Sequence, residues 1–202
     1  MREMNSELED MLKEMNNIAS SHAITSLSKI LNLPINLEVS KVRLEDITRL
    51  QELLGDPEEV IAGMMVNIEG GLNGMLLLAL ETEGAINYVN KVVNGNYKEL
   101  YDFDEMAVSA LCETGNILAG TFLSTIYDIT NVDLDTSIPQ IAIDMAGAIL
   151  SYPAMQFINE DDRLLIVQTK FRDTETLVAG SYLLIIDNEA FDSLINNLRG
   201  YL

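Results

Sequence analysis

The sequence predicts an α+β domain with an internal pseudo-twofold repeat, in which two long helices pack on a mainly antiparallel sheet. Three observations lead there. Asp10, Glu14, Asn17 and Ile18 recur ninety-nine residues later as Ser109, Glu113, Asn116 and Ile117, so one helix pattern is written twice. Gly74-Met-Leu-Leu-Leu-Ala-Leu-Glu-Thr-Glu83 matches Gly180-Ser-Tyr-Leu-Leu-Ile-Ile-Asp-Asn-Glu189; each is an apolar strand running into an acidic helix start. Strand-length apolar runs alternate with long stretches of helical period, and turn residues separate them. The copies span about 1–100 and 101–202. Each alone offers a small core, so residues 1–202 are expected to form a single domain.

The elements follow in order. A long helix is expected over Ser6–Leu31, with Asn5 or Ser6 as N-cap and Glu9 placed for a capping box. A strand follows near Asn36–Leu44, then a short helical insert at Leu44–Leu54 ending at Gly55-Asp56-Pro57. Val60–Glu69 and Leu72–Leu80 read as a hairpin around Gly70-Gly71, and a helix at Thr82–Val93 ends at Asn94-Gly95. The second copy repeats this as helix Asp102–Tyr127, strand Asn131–Ser137, helical insert Gln140–Leu150, strands Arg163–Phe171 and Leu177–Ile186, and helix Asn188–Leu198.

Composition removes several function classes. Twelve Lys+Arg stand against 32 Asp+Glu, a net charge of −20 over 202 residues. Nucleic acid and anionic membrane surfaces are therefore poor partners, because both are bound chiefly through cationic side chains. A 48% hydrophobic content supports a real core. The N-terminus lacks a basic start followed by an apolar run, and no apolar stretch such as Gly74–Leu80 is long enough to span a bilayer, so a cytoplasmic protein is expected. One cysteine (Cys112) and one histidine (His22) leave no intrachain disulfide, no Cys/His zinc site and no Ser–His–Asp triad. No phosphate-binding glycine loop is present.

What remains is a pair of polar stripes. At 100° per residue, Ser109, Glu113, Asn116, Gly120 and Ser124 share one side of the second long helix, opposite Ala107, Leu111, Leu118, Phe122 and Thr125. On the first, Asp10, Glu14, Asn17, Ser21 and Thr25 oppose Leu8, Leu12, Ala19, Ala23, Leu27 and Ile30. One Glu-x-x-Asn pair is ordinarily the wet side of an amphipathic helix. Two at equivalent positions are less ordinary, since asparagine is a poor helix-interior residue. An amide can orient a water, as a glutamine does in GTPases, and a glutamate can pair with a partner's lysine. Together they suit hydrolysis of a phosphoryl group held on another protein.

At these residues the chain resembles the CheC-type phosphatases of bacterial chemotaxis (CheC, CheX and FliY among them). The family pattern is Asp or Ser, three residues, Glu, two residues, Asn, twenty-two residues, Pro. The second copy fits throughout, at Ser109, Glu113, Asn116 and Pro139; the first fits at Asp10, Glu14 and Asn17 but has Ser40 in the proline position. The first copy also reads Asn17-Ile-Ala-Ser-Ser-His22 where the family is glycine-rich. The resemblance implies a CheC-like fold and hydrolysis of the aspartyl phosphate of a CheY-like response regulator, in bacterial or archaeal chemotaxis. Asn116 and Asn17 would place the water, and Glu113 and Glu14 would contact the regulator. No cofactor bound by this chain is implied, since Mg²⁺ sits on the regulator.

Family members also bind the deamidase CheD, and Pro139–Leu150 resembles the insert used for it. Asp144 and Gly147 are the candidate contacts there, and Asp144 as a plain exposed residue is an equal alternative. Internal symmetry favours a monomer. The competing reading is a non-catalytic adaptor that binds CheD or belongs to the flagellar switch.

Overall fold

The computed structural model describes residues 6–38, 40–157, 163–173, 178–187 and 194. Helix α1 (Ser6–Leu31) leads into strands β1 (Ile35–Leu37) and β2 (Lys41–Asp46), then a 3-10 turn at Ile47–Glu52. Strands β3 (Val60–Gly70) and β4 (Gly74–Glu81) form a hairpin that feeds α2 (Thr82–Val93). The second half gives α3 (Glu105–Thr130), β5 (Leu134–Thr136), β6 (Gln140–Met145), α4 (Ala146–Gln156), β7 (Arg163–Asp173) and β8 (Ala179–Ile186). The expected helix at Asn188–Leu198 lies outside the described residues, Leu194 excepted, as does Asn5.

Among the described residues, eight strands make one antiparallel sheet in the order β1-β7-β8-β4-β3-β5, with β2 also on β7 and β6 also on β3. The two halves interleave. The first half's β1 and β2 pair with β7 of the second, and the second half's β5 and β6 pair with β3 of the first. Each half completes the sheet of the other, and β4 and β8 pair at the centre.

Both faces of the central strands are covered, so these strands read as unbroken apolar runs. Leu76, Leu78, Tyr182 and Leu184 face α1, α2 and α3, while Met75, Leu77, Leu183 and Ile185 face the 3-10 turn and α4. Every residue the sequence placed on the apolar side of α1 and α3 is buried, apart from Ile30, which is half-buried. Helices α1, α2 and α3 are each followed by an asparagine in the left-handed conformation: Asn32, Asn94 and Asn131. Asparagine tolerates that conformation and stops the helix there.

Three expectations are corrected. The segment Gln140–Met145 is a strand, not part of a helical insert. Its alternating Ile141, Ala142 and Ile143 pair along the free side of β3, and a short segment with non-local partners is decided by that pairing rather than by its own period. Helix α3 starts three residues later and runs three residues further than the sequence indicated, because Asp104 caps it and Asn131 ends it. That helix is also long and apolar enough to cross a membrane, with a mean hydropathy of 1.3, contrary to the sequence reading; 44% of that window is buried inside the protein.

Tyr182, on β8, lies between Phe122 and Phe171. Its hydroxyl has no hydrogen-bond partner among the described residues, and burial pushes its pKa well above the ordinary tyrosine value. An unpartnered buried hydroxyl is costly. Tyr182→Phe is therefore expected to stabilise the fold by about 1 kcal/mol, raising Tm by roughly 3 °C for a chain of this size, as thermal melts would record.

Candidate functional site

Helices α1 and α3 lie side by side and antiparallel. His22 Nδ1 meets Thr125 Oγ1 at 2.9 Å, and Ser26 Oγ meets Thr121 Oγ1 at 3.5 Å, so His22 sits in this seam. Residue 17 of α1 is then level with residue 130 of α3, fourteen residues from Asn116. At 1.5 Å per residue the two asparagines stand about 20 Å apart along the helix pair. They cannot act on one phosphoryl group; each Glu–Asn pair is its own candidate site.

Asp10, Glu14, Ser109, Glu113 and Asn116 are all exposed, and Asn17 is half-buried. The amphipathic split that seats each long helix on the sheet thus presents the polar stripe outward. Tyr88 on α2 steadies α3 from beneath through a hydroxyl bond to Thr114, the residue after Glu113. At its start, α3 is capped by Asp104, whose carboxylate accepts from the N–H groups of Met106 and Ala107, each at 3.1 Å.

The Tyr97 hydroxyl also donates to Asp104 at 2.7 Å, and these bonds hold its pKa below the ordinary aspartate value, Tyr97 contributing most. A depressed carboxylate pKa stabilises the fold above the unfolded value and loses that contribution as pH falls through the folded one. As pH falls below the ordinary aspartate value, the first turn of α3 is expected to lose amide-exchange protection relative to the intrinsic rate at each pH. Asp104→Ala should show the same loss of protection at pH 7.

The ground beneath the two asparagines differs. Beside Asn116, Gly115 lets the helix close on the sheet: a Cβ there would sit 3.4 Å from Met64 Cβ and 3.5 Å from Pro139 Cβ. Pro139 is buried, and its carbonyl lies 3.9 Å from Cys112 Sγ. This seat is apolar.

The equivalents of Gly115 and Pro139 in the first half are Asn16 and Ser40, and the seat there is polar. Asn16 Nδ2 donates to Ser40 Oγ at 2.6 Å and to Thr169 Oγ1 at 2.7 Å, with Ser20 Oγ at 3.3 Å. All four side chains are buried. Ser40 in turn donates to Asn17 Oδ1 from its backbone N–H at 3.1 Å and from its hydroxyl at 2.7 Å. The sequence reading missed Asn16, Ser20 and Thr169. The signal was there for the first two, since Asn16 and Ser20 fall among Leu12, Ala19 and Ala23 on the apolar side of α1.

The partner-contact candidates separate. Asp144 is exposed on β6, its carboxylate accepting from the Met145 N–H at 2.8 Å. Gly147 is buried: its N–H donates to the Pro57 carbonyl at 2.9 Å, and a Cβ would come within 3.1 Å of Pro57. Its place is in the packing of the α4 start, where the Glu59 carbonyl also takes the Ala146 N–H. No cluster of three or more His, Cys, Asp or Glu side chains able to hold a metal occurs among the described residues.

Comparison with known proteins places this architecture. The family model described as chemotaxis phosphatase CheX matches residues 62–159. The CheY-P phosphatase CheC of Bacillus subtilis (strain 168) is 28% identical over 190 residues, covering 92% of this chain and 90% of that protein. The chain is thus similar to CheC over nearly its whole length and to the CheX model over its middle. Thermotoga maritima FliY has the same fold at 21% identity, with a TM-score of 0.77 and full coverage of both chains. The CheX of a CheX–CheY–BeF3–Mg²⁺ complex from Borrelia burgdorferi superposes with a TM-score of 0.53 at 21% identity, over 85% of this chain and 96% of that one. Glu14, Glu113 and Asn116 are exposed on the long helices and Asn17 is half-buried beside them, while α4 lies on the opposite face of the sheet.

Proposed function

We propose that the chain hydrolyses the aspartyl phosphate of a CheY-like response regulator. The observation that carries this reading is the outward placement of Glu113 and Asn116, one helical turn apart on a helix whose other side is anchored in the core. Similarity to proteins named CheY-P phosphatases supports it. A partner protein can reach both side chains, and neither needs to leave a folded contact to meet it.

Glu113 would pair with a cation on the regulator, while the amide of Asn116 would reach the phosphoryl group and hold a water in line with the scissile bond. Glu14 and Asn17 would offer a second docking point. For phosphoryl transfer, positioning and electrostatics supply most of the rate, so this chain needs no nucleophile of its own. Mg²⁺ would be held by the regulator, and an acidic surface suits a partner presenting a lysine and a bound cation. Asp144, exposed beside the start of α4, is the candidate contact for a CheD-type partner.

The test is direct. A purified CheY-like regulator is phosphorylated, Mg²⁺ is supplied, and inorganic phosphate is followed with and without this protein. Faster release in proportion to added protein is the expected result. Stable binding of the regulator with no change in release would support the adaptor reading instead.

A further inference from the structure

Proton accounting in the polar seat of α1 makes the two Glu–Asn pairs unequal. Asn16 Nδ2 has two protons, and its two short contacts are Ser40 Oγ at 2.6 Å and Thr169 Oγ1 at 2.7 Å. Ser40 Oγ lies 2.6 Å from Thr169 Oγ1 and 2.7 Å from Asn17 Oδ1. An amide oxygen can only accept, so the single Ser40 proton goes to Asn17, and Thr169 donates its own proton to Ser40. The Ser40 backbone N–H, 3.1 Å from the same atom, fixes which end of the Asn17 amide faces inward. Both lone pairs of Asn17 Oδ1 are thereby used, and only the NH₂ group is left to face a partner.

Among the described residues, none of this exists at the second pair. Pro139 has no N–H, Gly115 has no side chain, and Asn116 is exposed. Its amide is free to turn and to present oxygen or nitrogen.

We infer that Ser40 is a positioning residue that locks Asn17 as a hydrogen-bond donor, so that the first pair binds phosphoryl oxygens or the regulator but orients an attacking water poorly, while Asn116 does both. This deepens the phosphatase reading and rests on it for its kinetic part. The lock itself is a property of the free protein.

The experiment has two arms. In the first, side-chain amide ¹⁵N relaxation of the free wild-type protein is measured. The Asn17 NH₂ should be as ordered as rigid backbone and the Asn116 NH₂ markedly more mobile, with Ser40→Ala releasing Asn17 toward the mobility of Asn116. Equal mobility of the two amides in the wild type would overturn the lock, whatever the protein does to a regulator.

In the second arm, phosphate release is measured with the second pair silenced by Asn116→Ala. Adding Ser40→Ala frees one lone pair of Asn17 and should raise kcat several-fold at constant KM, whereas Ser40→Thr, which keeps both donors, should leave it unchanged. Damage to the fold can only lower the rate, so a rise is specific to the lock. No change or a fall with Ser40→Ala, in a protein shown folded by its amide spectrum, would overturn the kinetic inference. A wild type inactive on every regulator tried, with Asn17 still ordered, would overturn the phosphatase reading and the kinetic inference with it, leaving the lock standing.

Discussion

Asn116→Ala combined with Asn17→Ala is expected to lower kcat for phosphate release from a phosphorylated CheY-like regulator by about 100-fold, with KM changing little. An oriented amide acts when water and phosphorus are in line, so its loss belongs to turnover more than to binding. Asn116 is exposed and its loss should leave the melt close to the wild type, whereas Asn17→Ala leaves the buried Ser40 N–H and hydroxyl without their acceptor and should cost about 1 kcal/mol, so rates are compared at a temperature where both variants are folded. The single changes should be unequal: Asn116→Ala carries most of the loss and Asn17→Ala a few-fold. Glu113→Ala should raise KM instead, because the carboxylate pairs with the regulator before and during the reaction. Full activity in the double variant would remove the water-orienting role from both residues.

The largest stability effect is expected at the centre of the sheet. Gly74 opens β4 and Gly180 lies at the start of β8, and each faces the other strand's end: Gly74 is opposite Ile186, and Gly180 opposite Leu80. Neither is needed for a left-handed backbone; the reason is proximity. A Cβ on Gly180 would lie 2.4 Å from the Ala79 carbonyl oxygen and 2.7 Å from Phe171 Cζ, and one on Gly74 would lie 2.6 Å from the Ile185 carbonyl oxygen. Backbone atoms cannot turn aside as a side chain would, so the strands must part. Gly74→Ala or Gly180→Ala should each cost about 3 kcal/mol, seen as a lower denaturant midpoint with unchanged slope. Ala at Gly120, which has nothing within 4 Å of a Cβ, is the control and should not destabilise.

These glycines show how far the sequence could be read. Their matching positions in the two copies marked the repeat, but what they do depends on strands brought together from opposite halves. The same holds for Ser40. Its departure from the proline of the second copy was visible, whereas its partner Thr169 lies 129 residues away on β7, and no local pattern pairs them. The sequence offers Gly147 as a contact residue within an insert, but Pro57, against which it is buried, belongs to the other half of the chain.

By itself the sequence determined the two amphipathic helices, the β3–β4 hairpin and the outward faces carrying Glu14, Asn17, Glu113 and Asn116. Helical period and tight turns are set by residues three or four apart, and burial of an apolar stripe leaves only one direction for the polar one. The tertiary structure alone decided that the halves interleave, that Gln140–Met145 is a strand, and that one asparagine stands on a polar seat and the other on an apolar one. Those features arise from pairings between residues far apart in the chain, such as Val60 with Met145 and Ser40 with Thr169, where the free energy belongs to the assembled sheet and not to any segment of it.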